Sequence, residues 1–166
     1  PTSTQPERSE VESRAAAWFE ANGYLPEAIH HSISACDHKN AVRLIAQNGC
    51  SLLIRGGVLT LAHWLDAVED SARDEPWLPI YRGWIAALTG GADRAEQYLR
   101  QAEGLIAAQP TRDDTATMQG TAAAARAQAA NVQGDTAAAA GFARQALTYL
   151  TGTDGTACNL RVVSIS

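Results

Sequence analysis

The sequence has little of several residue types that particular functions require. Its three cysteines, Cys36, Cys50 and Cys158, are odd in number and follow no spacing pattern. They fit a reducing compartment and buried or idle thiols better than a disulfide framework. Lysine occurs once, at Lys39, and the formal net charge is −5, so there is no basic stripe for nucleic acid. Because no signal peptide or membrane-length apolar run is present, we predict a cytoplasmic chain without membrane contact.

Alternating β-branched and aromatic residues, the mark of strands, are missing until the last few positions. Alanine, leucine, arginine, glutamate and glutamine are abundant instead, which predicts an all-α fold. A length of 166 residues suffices for one domain with a core, or for about four helical pairs. We therefore expect about eight helices.

Three glycines, Gly23, Gly90 and Gly134, have similar surroundings. Small or apolar residues recur seven positions before each glycine and five, nine and twelve positions after it. This spacing is typical of a helix that ends at a left-handed glycine and of a second helix that lies close to the first. We predict a right-handed superhelix of antiparallel helical pairs, an α-solenoid like that of tetratricopeptide repeats; the alternative is an ordinary helical bundle with recurrent turns. The recurring positions are Ala16, Ala28, Ser32 and Ala35; Gly83, Ala95, Leu99 and Ala102; and Ala127, Ala139, Ala143 and Ala146.

Composition divides the chain into three parts. Residues 1–8 are polar and contain two prolines, and we predict a disordered N-terminal tail. Residues 9–150 form the helical-repeat domain, and residues 151–166 form a loop and a poorly ordered tail. The sequence starts with Pro rather than Met, so we expect it to belong to a longer polypeptide.

Local signals predict where several helices begin. Ser9 and Asp37 are candidate N-caps, Thr60 is another, and Pro26 fits the first turn of a helix. The apolar run that follows Gly49 is either a further helical turn or a continuation after a break at that glycine.

No catalytic constellation is present. The sequence contains neither a G-x-S-x-G elbow nor a G-x-x-x-x-G-K-[ST] phosphate loop, and the acidic run at residues 66–75 fits a solvated loop. A metal site at His30, His31, Cys36 and His38 is disfavoured, because adjacent helical residues point about 100° apart. We expect no enzymatic activity, metal or cofactor in this segment.

Four aromatic residues, Trp64, Trp77, Tyr81 and Trp84, cluster along the chain. A sensor can use such rings to stack on a sugar or another planar ligand, and the alternative is that they fill the core between helices. We assign Trp64 and Trp84 to the core. Trp77 and Tyr81 remain the candidate residues for contact with a ligand or partner.

Residues 14–108 resemble a known family in a series of short runs. These are R-A-A-A-W-F-E-A-N-G, E-A-I-H-H, A-V-R-L-I, T-L-A-H-W-L-D-A-V, P-W-L-P and G-G-A-D-R-A-E-Q-Y-L. They resemble the ATP-dependent LuxR-type transcriptional regulators related to the maltose activator MalT. The region after Pro110 is similar only to generic tetratricopeptide-like repeats.

The resemblance implies a place in a regulator. In that family a nucleotide-binding module and a winged-helix arm precede a helical-repeat sensor, and a helix-turn-helix domain follows it. This chain would then be the start of the sensor, with a small-molecule effector or a protein as partner. It would contact DNA only through a domain outside the segment, and self-association is compatible with this role. The alternative is a stand-alone tetratricopeptide-like adaptor that binds a protein partner; a small helical enzyme has the least support.

Overall fold

The computed structural model describes residues 5–151, with side chains from residue 8 onward. Within this range the chain forms eight α-helices and one short 3-10 helix, and no strand, which confirms the all-α prediction. Cys158 and most of the tail predicted for residues 151–166 lie outside the described residues. None of the helices in the described range has the length and hydropathy of a membrane span. The elements are α1 (Gln5–Ala21), α2 (Leu25–Ser34), α3 (His38–Ile54), α4 (Val58–Val68), the 3-10 helix (Glu69–Ser71), α5 (Trp77–Leu88), α6 (Ala92–Ala108), α7 (Thr115–Val132) and α8 (Thr136–Leu150).

Two predicted helix starts are wrong. Helix α1 begins at Gln5, within the stretch predicted as a tail, so Ser9 is not its N-cap. The Ser9 hydroxyl instead donates a hydrogen bond to the carbonyl of Ala35, 3.0 Å away. Helix α4 begins at Val58, before the predicted cap Thr60. In each case a residue with good capping chemistry lies inside the helix.

The other local signals agree with the structure. Pro26 lies in the first turn of α2. The Asp37 carboxylate accepts a hydrogen bond of 3.1 Å from the backbone N–H of Asn40, as an N-cap does. Helix α3 runs unbroken through Gly49, which is buried, so the run after it is a continuation of the helix.

The described residues form two compact units. The first consists of residues 5–53 and 57–73, and the second of residues 54–56 and 74–151. In the first unit, α1 pairs with α2, and α3 is joined to both helices by polar contacts. Asn40 donates to the Ser32 hydroxyl across 3.0 Å, and Arg43 donates to Glu20 across 2.7 Å. Its buried apolar side chains include Ala28, Ile29, Leu44, Ile45, Leu61 and Leu65.

The second unit consists of the pairs α5–α6 and α7–α8, with α7 also packed against α5 and α6. Helix α7 carries a run of buried alanines, residues 122–125, with exposures of 2% or less. Such small side chains let neighbouring backbones approach closely. At Gly120 an added Cβ would lie 2.6 Å from Leu150 Cγ, so this glycine is required for the packing of α8.

The predicted glycine turns are confirmed. Gly23, Gly90 and Gly134 have φ angles of 78°, 81° and 80°, in the left-handed region. The predicted contact between paired helices is also present, because a Cβ on Gly83 would lie 2.8 Å from Leu99 Cδ2. These two residues are seven positions before and nine positions after Gly90.

Two of the cysteines lie among the described residues. Cys36 has an exposed free thiol and, unusually for a residue other than glycine, a φ of 59°. Cys50 is half-buried in α3.

Candidate functional site

Trp77 and Tyr81, the predicted contact residues, lie in the interior of the second unit. Their side chains are 7% and 1% exposed, and the two rings stack with centroids 5.4 Å apart. The indole N–H of Trp77 donates to Asp114 Oδ2 across 2.8 Å. A ligand that stacks on either ring has to displace this packing first.

Trp64 and Trp84 are core residues, as predicted. Their exposures are 7% and 4%. The indole N–H of Trp84 donates to the backbone carbonyl of Thr121 across 3.1 Å, which satisfies the polar atom of a buried ring.

A half-buried ion-pair network surrounds the Trp77 indole. Arg112 donates through Nε and a terminal nitrogen to both oxygens of Asp114, each at 2.9 Å, and to Glu75 at 3.0 Å. The hydrogen bonds from Arg112 hold the pKa of Asp114 below its ordinary value, despite an opposing effect of burial. Asp114 therefore stays ionised at neutral pH, and the network fixes the turn before α7 against the start of α5.

A second network joins α6 to α7. Arg126, whose side chain is 13% exposed, lies 2.8 Å from Glu96 and 2.6 Å from Glu103. The hydrogen bond from Arg126 lowers the pKa of Glu96, and Arg100, four residues after Glu96 on the same helix, adds to this shift through a contact of 2.9 Å. Helical spacing alone indicates the local pair, but it cannot indicate Arg126, which is 30 positions from Glu96.

The exposed rings belong to the first unit. We define the aromatic cluster as Trp18, Phe19 and Tyr24. The side chains of Trp18 and Tyr24 are 57% and 52% exposed. Their rings lie 6° from parallel, with centroids 6.3 Å apart. Phe19 is almost perpendicular to both, at 83° and 87°, with centroid distances of 5.1 and 6.1 Å.

The turn between α1 and α2 positions this cluster. Trp18 and Phe19 lie in the last turn of α1, Gly23 reverses the chain with its positive φ, and Tyr24 immediately precedes α2. Phe19 also stacks on His31 at 5.0 Å. The His31 Nδ1–H donates to Glu12 Oε2 across 2.6 Å, and this hydrogen bond lowers the pKa of Glu12. The cluster is thus held by contacts from both helices.

The histidines considered for a metal site do not converge. His30 and Cys36 are exposed. His38 Nδ1 is buried and has no hydrogen-bond partner among the described residues. Within residues 5–151 no three histidine, cysteine or carboxylate side chains come close enough to hold a metal ion.

The sequence contains a signal for the aromatic cluster. Val11, Ala15 and Trp18 follow i, i+4, i+7 spacing, while Ala16 is buried on another side of α1. Val11 is 63% exposed and Ala16 only 2%. When a helix has apolar residues on two sides, one side packs into the core of its own unit and the other remains free for a different contact.

Comparison with known proteins gives one group of relatives. The chain is 34% identical to "Serine/threonine-protein kinase PknK" of Mycobacterium tuberculosis (strains CDC 1551 / Oshkosh and ATCC 25618 / H37Rv) and of Mycobacterium bovis (strain ATCC BAA-935 / AF2122/97), over 103 residues. The match covers 57% of this chain but only 9% of each relative, so the chain spans a small part of their length. No family model matches the sequence. No solved structure matches it either.

Proposed function

We propose that this chain is a non-catalytic sensor and interaction segment of a bacterial, MalT-like LuxR-type transcriptional regulator, acting in the cytoplasm. It would bind an effector or partner and thereby control an ATPase module and a DNA-binding domain outside the segment. The observation that carries this proposal is the aromatic cluster, in which two large rings are about half exposed on the pair α1–α2.

The state of the half-buried carboxylates supports a non-catalytic role. Asp114 and Glu96 are each hydrogen-bonded to an arginine, and both have lowered pKa values. A general acid at neutral pH needs a raised pKa. Their paired charges are better suited to fixing helices than to transferring protons.

Sensing then follows from binding. A ligand on the aromatic cluster changes the activity of the parent protein only if it binds one conformational state better than another. A tenfold difference in affinity for the two states shifts the free-energy difference between them by about 1.4 kcal/mol.

The similarity to PknK favours a second candidate. By its printed name PknK is a serine/threonine-protein kinase, and this chain matches 9% of its length. The segment would then serve the same interaction role in a signalling kinase, with catalysis in another domain.

Reading the gene on both sides of this segment separates the candidates. A phosphate loop upstream and a helix-turn-helix domain downstream support the regulator. A protein-kinase domain upstream, with its Gly-rich loop and H-R-D motif, supports the second candidate. A gene that encodes neither contradicts both and leaves a stand-alone adaptor.

A further inference from the structure

We propose that the aromatic cluster binds the guanidinium group of an arginine side chain on a protein partner. This inference rests on the proposed role of the chain as an interaction segment, and it specifies the chemistry that the segment recognises. Nothing in the similarity to PknK assigns a ligand to these residues.

The ring geometry suits a flat cation. The faces of tryptophan and tyrosine rings carry partial negative charge and attract cations. Trp18 and Tyr24 are parallel to within 6°, with centroids 6.3 Å apart, so a planar group that stacks on the exposed face of one ring lies parallel to the other ring as well. Guanidinium is planar and weakly hydrated, and it stacks on aromatic faces better than a compact ammonium does.

Exposure distinguishes this cluster from the other aromatic groups. Trp64, Trp77 and Trp84 are at most 7% exposed, whereas Trp18 is 57% exposed. Phe19 is half-buried and contributes to packing between α1 and α2. The exposed area of Trp18 and Tyr24 adds nothing to that packing and is available to a partner.

The local charge favours a cation. Among residues 8–34 there are four carboxylates and two arginines, and Arg43 of α3 pairs with one of these carboxylates, which leaves a net charge of −1 with histidine neutral; the whole chain carries −5. Glu12 and Glu20 are paired with His31 and Arg43. Glu27, three residues after Tyr24, is exposed and has no ion-pair partner within the described part of the chain.

Arg14 opposes the binding of a cation next to Trp18. Arg14 is exposed and lies one helical turn before Trp18. It repels a guanidinium that approaches along α1. We therefore expect the arginine to approach from the side of Tyr24, which lies ten residues after Arg14 and three residues before Glu27.

The test uses the four indole N–H signals of the 15N-labelled chain. The chain is titrated with the peptide acetyl-Gly-Arg-Gly-amide, and with a matched peptide in which uncharged citrulline replaces arginine. We expect the arginine peptide to shift the Trp18 signal saturably, while the Trp77 and Trp84 signals stay in place because their N–H groups are hydrogen-bonded inside the second unit. The citrulline peptide should produce no saturable shift.

Variants locate the site. Trp18→Ala should weaken peptide binding by about 2- to 30-fold, the range expected for a cation–π contact, as read from the remaining backbone signals of Gly23 and Tyr24. Glu27→Gln should also weaken binding, and Arg14→Ala should strengthen it. Leu59→Ala is the matched control, because Leu59 is an exposed apolar residue of α4 in the same unit, 86% exposed. Far-UV circular dichroism checks that each variant remains helical.

Three outcomes overturn the inference. They are equal binding of the arginine and citrulline peptides, tighter binding of tetramethylammonium than of arginine, and no saturable shift of the Trp18 signal with any of these ligands. The gene context tests the proposed function separately. If the gene encodes neither a regulator nor a kinase but the chain binds arginine saturably, the proposed arginine site stands and the proposed function is wrong. If the gene encodes a regulator but the segment does not bind arginine, the proposed function stands and the arginine site is wrong.

Discussion

The close contact between Gly83 and Leu99 allows a quantitative test of the pairing of α5 with α6. A Cβ on Gly83 would lie 2.8 and 2.9 Å from Leu99 Cδ2 and Cγ, whereas ordinary van der Waals contact begins at 3.4 Å. Leu99 is 0% exposed and has no solvent-facing space to move into. Gly83→Leu should therefore separate α5 from α6.

The magnitude follows from two opposing effects. Replacing glycine by alanine inside a helix stabilises it by about 1 kcal/mol. Inserting a methyl group into a filled contact costs about 1–3 kcal/mol. Gly83→Ala should thus lie between neutral and about 2 kcal/mol destabilising, and Gly83→Leu, with three further carbons, should cost about 3 kcal/mol or more.

Gly104 provides the matched control. It lies in α6, and a Cβ there would meet nothing within 4 Å. Gly104→Ala and Gly104→Leu should therefore stabilise the chain by about 0.5–1 kcal/mol. Urea unfolding followed by circular dichroism at the helical band measures all four variants. If Gly83→Leu unfolds at the same urea concentration as the unsubstituted chain, the pairing of α5 with α6 is wrong.

Three further predictions concern polar contacts. Asp114→Ala removes the acceptor of the Trp77 indole and should lower the free energy of unfolding by about 1–3 kcal/mol in urea titrations; no change would mean that the network contributes no stability. The pKa values of Asp114 and Glu96 are lowered in the folded state, so their contribution to stability is present above their ordinary pKa values of 3.8 and 4.5 and is lost as the pH falls through the folded-state pKa values. The melting temperature should therefore fall in that acidic range. A melting temperature that does not change with pH would refute this prediction. Asp135→Ala removes the side-chain acceptor of the Ala138 N–H at 2.9 Å and should lower the free energy of unfolding by about 1 kcal/mol in the same urea assay. An unchanged urea midpoint would mean that Asp135 does not stabilise α8 as a cap.

The helical pairs were predictable because their turns depend on local chemistry. A left-handed residue strongly favours glycine, so Gly23, Gly90 and Gly134 mark three turns directly in the sequence. The turn between α2 and α3 has no such mark, because Cys36 adopts the left-handed conformation there with a φ of 59°. Its position followed instead from the Asp37 cap.

At one of the two wrong helix starts, Ser9, the side chain makes a distant contact instead of a local one. The Ser9 hydroxyl is 26 positions from the Ala35 carbonyl that it contacts. The contact of Arg112 with Glu75, 37 positions away, is equally outside the reach of local sequence patterns. Capping preference describes what a side chain does for its own backbone, and it carries no information about a carbonyl on another helix.

The location of the exposed aromatic rings was the least predictable feature. Trp77 and Tyr81 were the candidates for contact and are buried, whereas Trp18 and Tyr24 are exposed. The amino-acid type is the same in both places. What decides exposure is which side of each helix faces its neighbour, and that depends on the packing of the whole unit.

Acrylamide quenching of tryptophan fluorescence tests most directly the central claim, that the accessible aromatic surface is the cluster around Trp18. Three of the four tryptophans are at most 7% exposed, so the unsubstituted chain should contain one readily quenched component. That component should disappear in Trp18→Phe and persist in Trp77→Phe. Loss of the quenched component in Trp77→Phe, with its retention in Trp18→Phe, would contradict the account and return the site to α5.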